Sequence, residues 1–184
     1  MNRRRSRLVL RSLRLRLLAS LGVGAAILSS WWLRVEEARA PKELPQIAFG
    51  QAVAAGRTSL TPERLVLRDG QLTLVAMLET VTGATVSAPF GAPARLPELL
   101  LEDGPLPAAG VVLQRDDEPL RQLHPRMPER VLLIWPLDGD VPPGEVTIRF
   151  DRQIFKLRDN LYGQASWLGH EAAGELHATP EVTP

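Results

Sequence analysis

The chain has 184 residues, with 22 Lys or Arg against 21 Asp or Glu and no cysteine. The lack of cysteine excludes disulfides, thiolate chemistry and cysteine-ligated zinc, so an exported domain must rest on its apolar core alone. The net charge of +1 is uneven: seven arginines and no acid fall in residues 1–16, while residues 41–184 hold 13 bases and 19 acids, leaving no basic surplus with which to bind nucleic acid.

Residues 1–16 read as a basic cytoplasmic tail attracted to an anionic inner leaflet. Leu17 to Leu33, LLASLGVGAAILSSWWL, then runs seventeen residues without a charge. As a helix it covers about 26 Å, slightly less than a hydrocarbon core of about 30 Å. Arg14, Arg16 and Arg34 can snorkel to the headgroups, and Trp31 and Trp32 suit the interface. The expectation is one transmembrane helix whose partner is the lipid bilayer, with the N-terminus cytoplasmic and the rest exported across a bacterial inner membrane. Twenty arginines against two lysines fit a GC-rich bacterial genome. The rival reading is a cleaved signal peptide, since Ala38-Arg39-Ala40 has the small-x-small form of a cleavage site. Against it stand the length of the apolar run, the intervening tryptophans and Pro41 just after the cut. Within the span, Gly22 with Ala26 and Ala25 with Ser29 offer a small-residue face for helix pairing.

Residues 34–46, with Pro41 and Pro45, read as a short stiff linker. From Ile47 the apolar period becomes two. Ile47 to Val53 is a first strand interrupted by Gly50, and Thr61-Pro62-Glu63 precedes a stronger one, Arg64 to Arg68. Asp69-Gly70 between RLVLR and QLTLVAMLETV is a hairpin signature, with Leu72, Leu74, Ala76 and Leu78 on the core face. Val81 to Pro97 is a loop with at most a short edge strand at Ala84 to Ser87. Strands are expected at Glu98 to Glu102, Gly110 to Arg115 and Glu129 to Trp135, the last central and nearly all apolar. Leu120 to Pro128 connects across one end. Glu145 to Asp151 and Gln153 to Arg158 alternate, with a slip in phase that predicts a turn or bulge at Asp151-Arg152. In the second of these, Phe155 and Leu157 are expected to face in. The remainder is weakly periodic, with Tyr162 and Trp167 over one end of the core and 179–184 frayed.

Seven or eight short strands over residues 47–178 fit an all-β, immunoglobulin-like antiparallel β-sandwich; a partly open β-barrel is the alternative.

Catalytic chemistry finds little footing. The exported part has Ser59, Ser87 and Ser166 and His124, His170 and His177. Ser166 lacks the Gly-x-Ser-x-Gly spacing of a nucleophile elbow. His170, Glu171, Glu175 and His177 mix metal-ligating types, but neither strand nor helix makes them converge without a turn at Gly174. Asp116-Asp117-Glu118 and Asp138-Gly139-Asp140 read as polar turns. No cofactor, metal or catalytic residue is assigned, and a metal-dependent or serine hydrolase is the least favoured class. Phe90, Tyr162 and Trp167 are the candidate platforms for a sugar or small ligand, while Trp135 reads as core.

The stretch from about Leu120 to Leu168, LRQLHPRMPERVLLIW and then PPGEVTIRFDRQIFKLRDNLYGQASWL, resembles the C-terminal half of small bacterial immunoglobulin-like domains carried outside single-pass anchors or lipoproteins. That resemblance implies a binding or accessory domain of an envelope complex or transporter, without a functional motif and without the cysteine pair of antibody domains. The expected partner is therefore an unidentified membrane or envelope protein, and a sugar-binding module is the alternative.

Overall fold

A computed structural model describes residues 22–36, 43–137, 144–158, 163 and 165–183. The chain divides into two compact units, Met1–Glu43 and Leu44–Pro184.

In the first unit, residues 22–36 form a helix, three residues beyond the predicted span and into the predicted linker. Leu17 to Leu21 lie outside the described residues, and among those described no helix is long and apolar enough to cross a membrane. Val23, Ile27, Leu28, Trp31, Trp32 and Leu33 are between 59% and 67% exposed. The two helical serines turn back on their own helix: Ser29 Oγ donates to Ala25 O at 2.8 Å and Ser30 Oγ to Ile27 O at 2.9 Å.

The second unit is all-β and sandwich-like, built from two mainly antiparallel sheets. The strands are β1 (Gln46–Ile47), β2 (Val53–Ala54), β3 (Thr58–Arg68), β4 (Gln71–Thr80), β5 (Glu98–Leu101), β6 (Gly104–Pro107), β7 (Gly110–Leu113), β8 (Glu129–Pro136), β9 (Val146–Lys156), β10 (Ser166–Ala178) and β11 (Glu181–Val182). One sheet runs β1-β10-β9-β5-β6 and the other β11-β3-β4-β8-β7, with β2 beside β3.

The predicted hairpin is present. Asp69 and Gly70 both take positive φ, 48° and 73°, as a two-residue turn of right-handed twist demands, and they bring Arg68 opposite Gln71. Leu72, Leu74, Ala76 and Leu78 are completely buried, so the core face follows the period-two pattern. On the other side of β4 lies β8, interior to its sheet as its continuous apolar run required. Trp135 is fully buried, and its Nε1 donates across the sandwich to Leu106 O at 3.1 Å. These residues meet Leu99, Ile148, Phe150 and Leu176 of the opposite sheet in one core cluster.

Several boundaries differ from expectation. β3 begins at Thr58 and runs through Pro62, because an extra residue at Glu63 shifts the register beside the proline that cannot donate. β6 lies between the strands expected at Glu98 to Glu102 and Gly110 to Arg115 and forms a second hairpin with the first of them. The phase slip near Asp151-Arg152 is real, since burial passes from Phe150 to Gln153, yet β9 is continuous and the register shifts lie on the β10 side. Phe155 and Leu157, expected to face in, are 46% and 83% exposed. The largest correction is β10: the weakly periodic segment is a thirteen-residue strand interior to its sheet. Its alternation is blurred by two register shifts, which break the period that marks a strand. Likewise Glu181 and Val182, expected to fray, pair in parallel with Val66 and Leu67.

Candidate functional site

The residues singled out from the sequence separate into three places. Phe90 is 7% exposed and belongs to the core cluster, so it offers no platform. The reason is local: Thr58 Oγ1 donates to Pro89 O at 2.9 Å in a buried bond that holds the loop against β3. Tyr162 lies outside the described residues, as do Asp138, Gly139 and Asp140. Trp167 is half-buried and pairs across the ladder with Phe155, ring centroids 5.1 Å apart. The Arg57 guanidinium lies over the same indole at 5.8 Å from its centroid.

His177 sits elsewhere, at the far end of β10. Its Nδ1 is 3.0 Å from the Thr147 hydroxyl, its direct cross-strand neighbour. Glu175 lies 3.9 Å from His177 Nε2, too far for a hydrogen bond, and its other oxygen is held by Arg149 Nε and Nη2 at 3.2 and 3.1 Å. This Thr-His-Glu row is an exposed sheet face rather than a relay for nucleophilic attack. Among the described residues no group of three or more His, Cys, Asp or Glu is placed to hold a metal ion.

The Asp116-Asp117-Glu118 segment is the polar turn its composition suggested. Asp117 takes φ 56°, and Asp116 Oδ1 accepts from the Glu118 backbone N–H at 3.2 Å. Arg115 donates to both Asp116 and Glu129 at 2.9 Å. The hydrogen bond from Arg115 holds the Asp116 carboxyl below the usual carboxylate range, and the same bond raises the guanidinium further. The open cleft beside it, about 340 Å3, is lined by this Arg115, Asp116 and Glu129 network together with Glu118, Arg121, Gln122 and His124.

A different cavity, about 400 Å3, opens where the loop after Phe90 lies over the irregular part of β9 and β10. His170 and Gln153 are direct cross-strand partners here, next to the Trp167·Phe155 pair. Gln153 is 8% exposed, its Oε1 has no hydrogen-bond partner among the described residues, and neither has His170 Nε2. Gly91, at φ 94°, closes over both: a Cβ there would stand 2.6 Å from His170 Nε2 and 2.7 Å from Gln153 Nε2. Gly56, at φ 99°, likewise lets the β2–β3 turn approach the Gln153 backbone. Asp151 and Arg95 line the same cavity from opposite sides of it in sequence. Glu171 lines it too, its carboxylate taken by Arg152 Nε at 2.7 Å.

Two further buried polar atoms without a partner among the described residues, Arg57 Nε and Ser166 Oγ, belong to this neighbourhood, one over Trp167 and the other preceding it. An unpaired buried polar atom costs on the order of 1–3 kcal/mol.

Of the predicted site residues, the structure brings Trp167 and His170 together and leaves Phe90 and His177 out. Gln153, Asp151, Arg95 and Arg57 were not foreseen. Gln153 sits at the phase slip, which was visible, but only the fold of the Gly91 loop makes it a cavity residue. Comparison with protein-family models, with curated proteins and with solved structures yields no match for this chain.

Proposed function

We propose that the chain is a single-pass bacterial inner-membrane protein whose exported immunoglobulin-like domain acts by binding, as an accessory subunit of an envelope or transporter complex. The observation that carries this reading is the helix at 22–36. Its apolar side chains are exposed and its serine hydroxyls are bonded to its own carbonyls, which is what a hydrocarbon environment requires of a helix. Seven arginines precede it and none of its residues from 22 to 33 is charged. That combination orients a span with its N-terminus in the cytoplasm.

Strand order supports the immunoglobulin-like reading. With β3, β4, β5, β7, β8, β9 and β10 taken as A to G, the sheets read A-B-E-D and G-F-C, the arrangement of that fold, and β6 takes the place of C′. The buried tryptophan stands on the fifth of these strands rather than the third, and no cysteine pair joins the sheets. Such sandwiches serve many roles, so function rests on the anchor and surfaces rather than the fold.

Two measurements test the proposal. The full chain, expressed in a bacterium, stays in the membrane pellet after alkaline carbonate washing, and protease added to spheroplasts removes the domain. Co-purification in mild detergent then recovers a partner with the native anchor and less of it with an unrelated one. A soluble domain, or a monodisperse monomer without a partner, overturns the reading.

A second reading, a module that binds a small ligand outside the cytoplasm, is favoured by the cavity between the Gly91 loop and β10.

A further inference from the structure

We propose that the end of the β9–β10 pair that carries Lys156 and Ser166 docks on an anionic lipid surface, with Phe155, Leu157 and Trp167 meeting the apolar boundary and Lys156, Arg158 and Arg57 the headgroups. The inference rests on the membrane-anchor reading above and goes beyond it, because it gives the exported domain a second contact with the bilayer.

The β9–β10 ladder outruns the core. Ser166 and Trp167 stand opposite Lys156 and Phe155, so Phe155 and Trp167 share one face of the pair and bring their rings together at 5.1 Å. Gln153, two residues earlier on that face, is buried, whereas Phe155 is 46% and Leu157 83% exposed. The inward face therefore continues past the opposite sheet and ends, at Phe155 and Leu157, in solvent. Elsewhere in the domain the large exposed apolar residues come one to a segment, as on any protein surface.

Charge names the occupant. Residues 41–184 hold 13 bases and 19 acids, but from Ile154 to Trp167 the bases are Lys156 and Arg158 and the one acid is Asp159. The Arg57 guanidinium adds a further positive charge over the indole of Trp167. This end of an acidic domain is therefore locally basic. Bases set among leucine, phenylalanine and tryptophan are the composition of segments that lie in a membrane interface, where Lys and Arg stems follow the apolar side chains and their heads stay among the phosphates.

The path of the chain brings the same end toward the bilayer. β1 runs parallel to β10, with Gln46 opposite Glu175 and Ile47 opposite Leu176, and Pro45 O accepts from the Glu175 N–H at 3.0 Å. The chain thus enters the domain from the Trp167 end of β10. From Glu175 back to Trp167 the strand covers roughly 25 Å, while residues 37–45 can reach at most about 35 Å. The hairpin bridges most of the distance that the linker can open. Once the anchor is in place, docking is an intramolecular event, so a few weak contacts suffice.

The test uses the full chain, whose lack of cysteine lets one dye be placed at will. Ala165→Cys, exposed two residues before Trp167, and Thr179→Cys, exposed just past the far end of β10, are each labelled with nitrobenzoxadiazole. Both are reconstituted into vesicles of phosphatidylcholine, or of phosphatidylcholine and phosphatidylglycerol in equal parts, with a doxyl lipid as quencher. In the anionic vesicles the dye at 165 is expected to shift to the blue and to be quenched, and the dye at 179 is not. Adding Lys156→Gln and Arg158→Gln to Ala165→Cys should lower the ratio of docked to undocked dye about thirtyfold, at about fivefold for each base beside an anionic surface. Leu157→Ser in the same background should lower it about tenfold or more.

A chain that does not float with the vesicles overturns the anchor reading and this inference together. One that floats with the dye at 165 unquenched overturns the inference alone. So does a blue shift without quenching that grows with the ratio of protein to lipid, which would place a second copy of the chain on this face. Equal quenching in the two kinds of vesicle, or an unchanged ratio in the doubly neutralised variant, overturns it as well.

Discussion

The two sheets of the domain are built on different terms. In the sheet of β3, β4 and β8 the ladders are long and the inward residues are aliphatic, with Leu72, Leu74, Leu133 and Trp135 fully buried. Each such side chain removed from water contributes on the order of 1.5–3 kcal/mol. In the opposite sheet, β9 and β10 share a ladder as long as that of β3 and β4 but with two register shifts, and the burial passes to Gln153. The same sandwich thus has one half that stores stability and one end of the other half that gives some of it up.

The largest expected effect breaks the stable half. Trp135→Ala leaves a cavity in the core and strands Leu106 O without its donor; a loss of about 3–5 kcal/mol is expected, read as the denaturant midpoint of the domain. Gly70→Ala forces a side chain into the left-handed region at φ 73°. It should cost about 1–2 kcal/mol in the same measurement, because the hairpin register depends on that turn. The opposite sign is expected in the other sheet: Gln153→Met removes an unpaired buried acceptor at similar volume and should stabilise by about 1 kcal/mol. A destabilised Gln153→Met would erase the contrast between the sheets.

Asp116→Asn should have the smallest effect, since both partners of its hydrogen bond are exposed to solvent. The Arg115 bond lowers the Asp116 carboxyl in the folded state. Its contribution is therefore complete above the ordinary carboxylate range and fades as pH falls through the depressed value. Wild type and Asp116→Asn should differ slightly at neutral pH and converge in acid, as followed by thermal melts across pH. A difference that grows on acidification would reverse the assignment.

Legibility followed the regularity of the backbone. The Asp69-Gly70 hairpin, the core face of β4 and the central place of β8 could be read because turn residues and a period of two act over a few neighbours. β10 was missed for the converse reason: Gly169 at φ 74° and two register shifts interrupt the alternation, so SWLGHEAAGELHA has no uniform face. At the cavity, His170 and Trp167 stood out as chemically notable residues, and Phe90 misled, since an aromatic in a Gly- and Pro-rich loop carries no sign of whether the loop folds over the core.

The sequence by itself determined that the chain carries an uncharged run behind seven arginines, no cysteine and an all-β domain, because composition and local periodicity are properties of neighbours along the chain. Only the tertiary structure decided that Gln153 and His170 stand side by side beneath Gly91, with Arg95, Asp151 and Trp167 around them. Those residues are up to about eighty positions apart in sequence, and which of them meet is set by the packing of a loop onto two bulged strands, for which no local pattern exists.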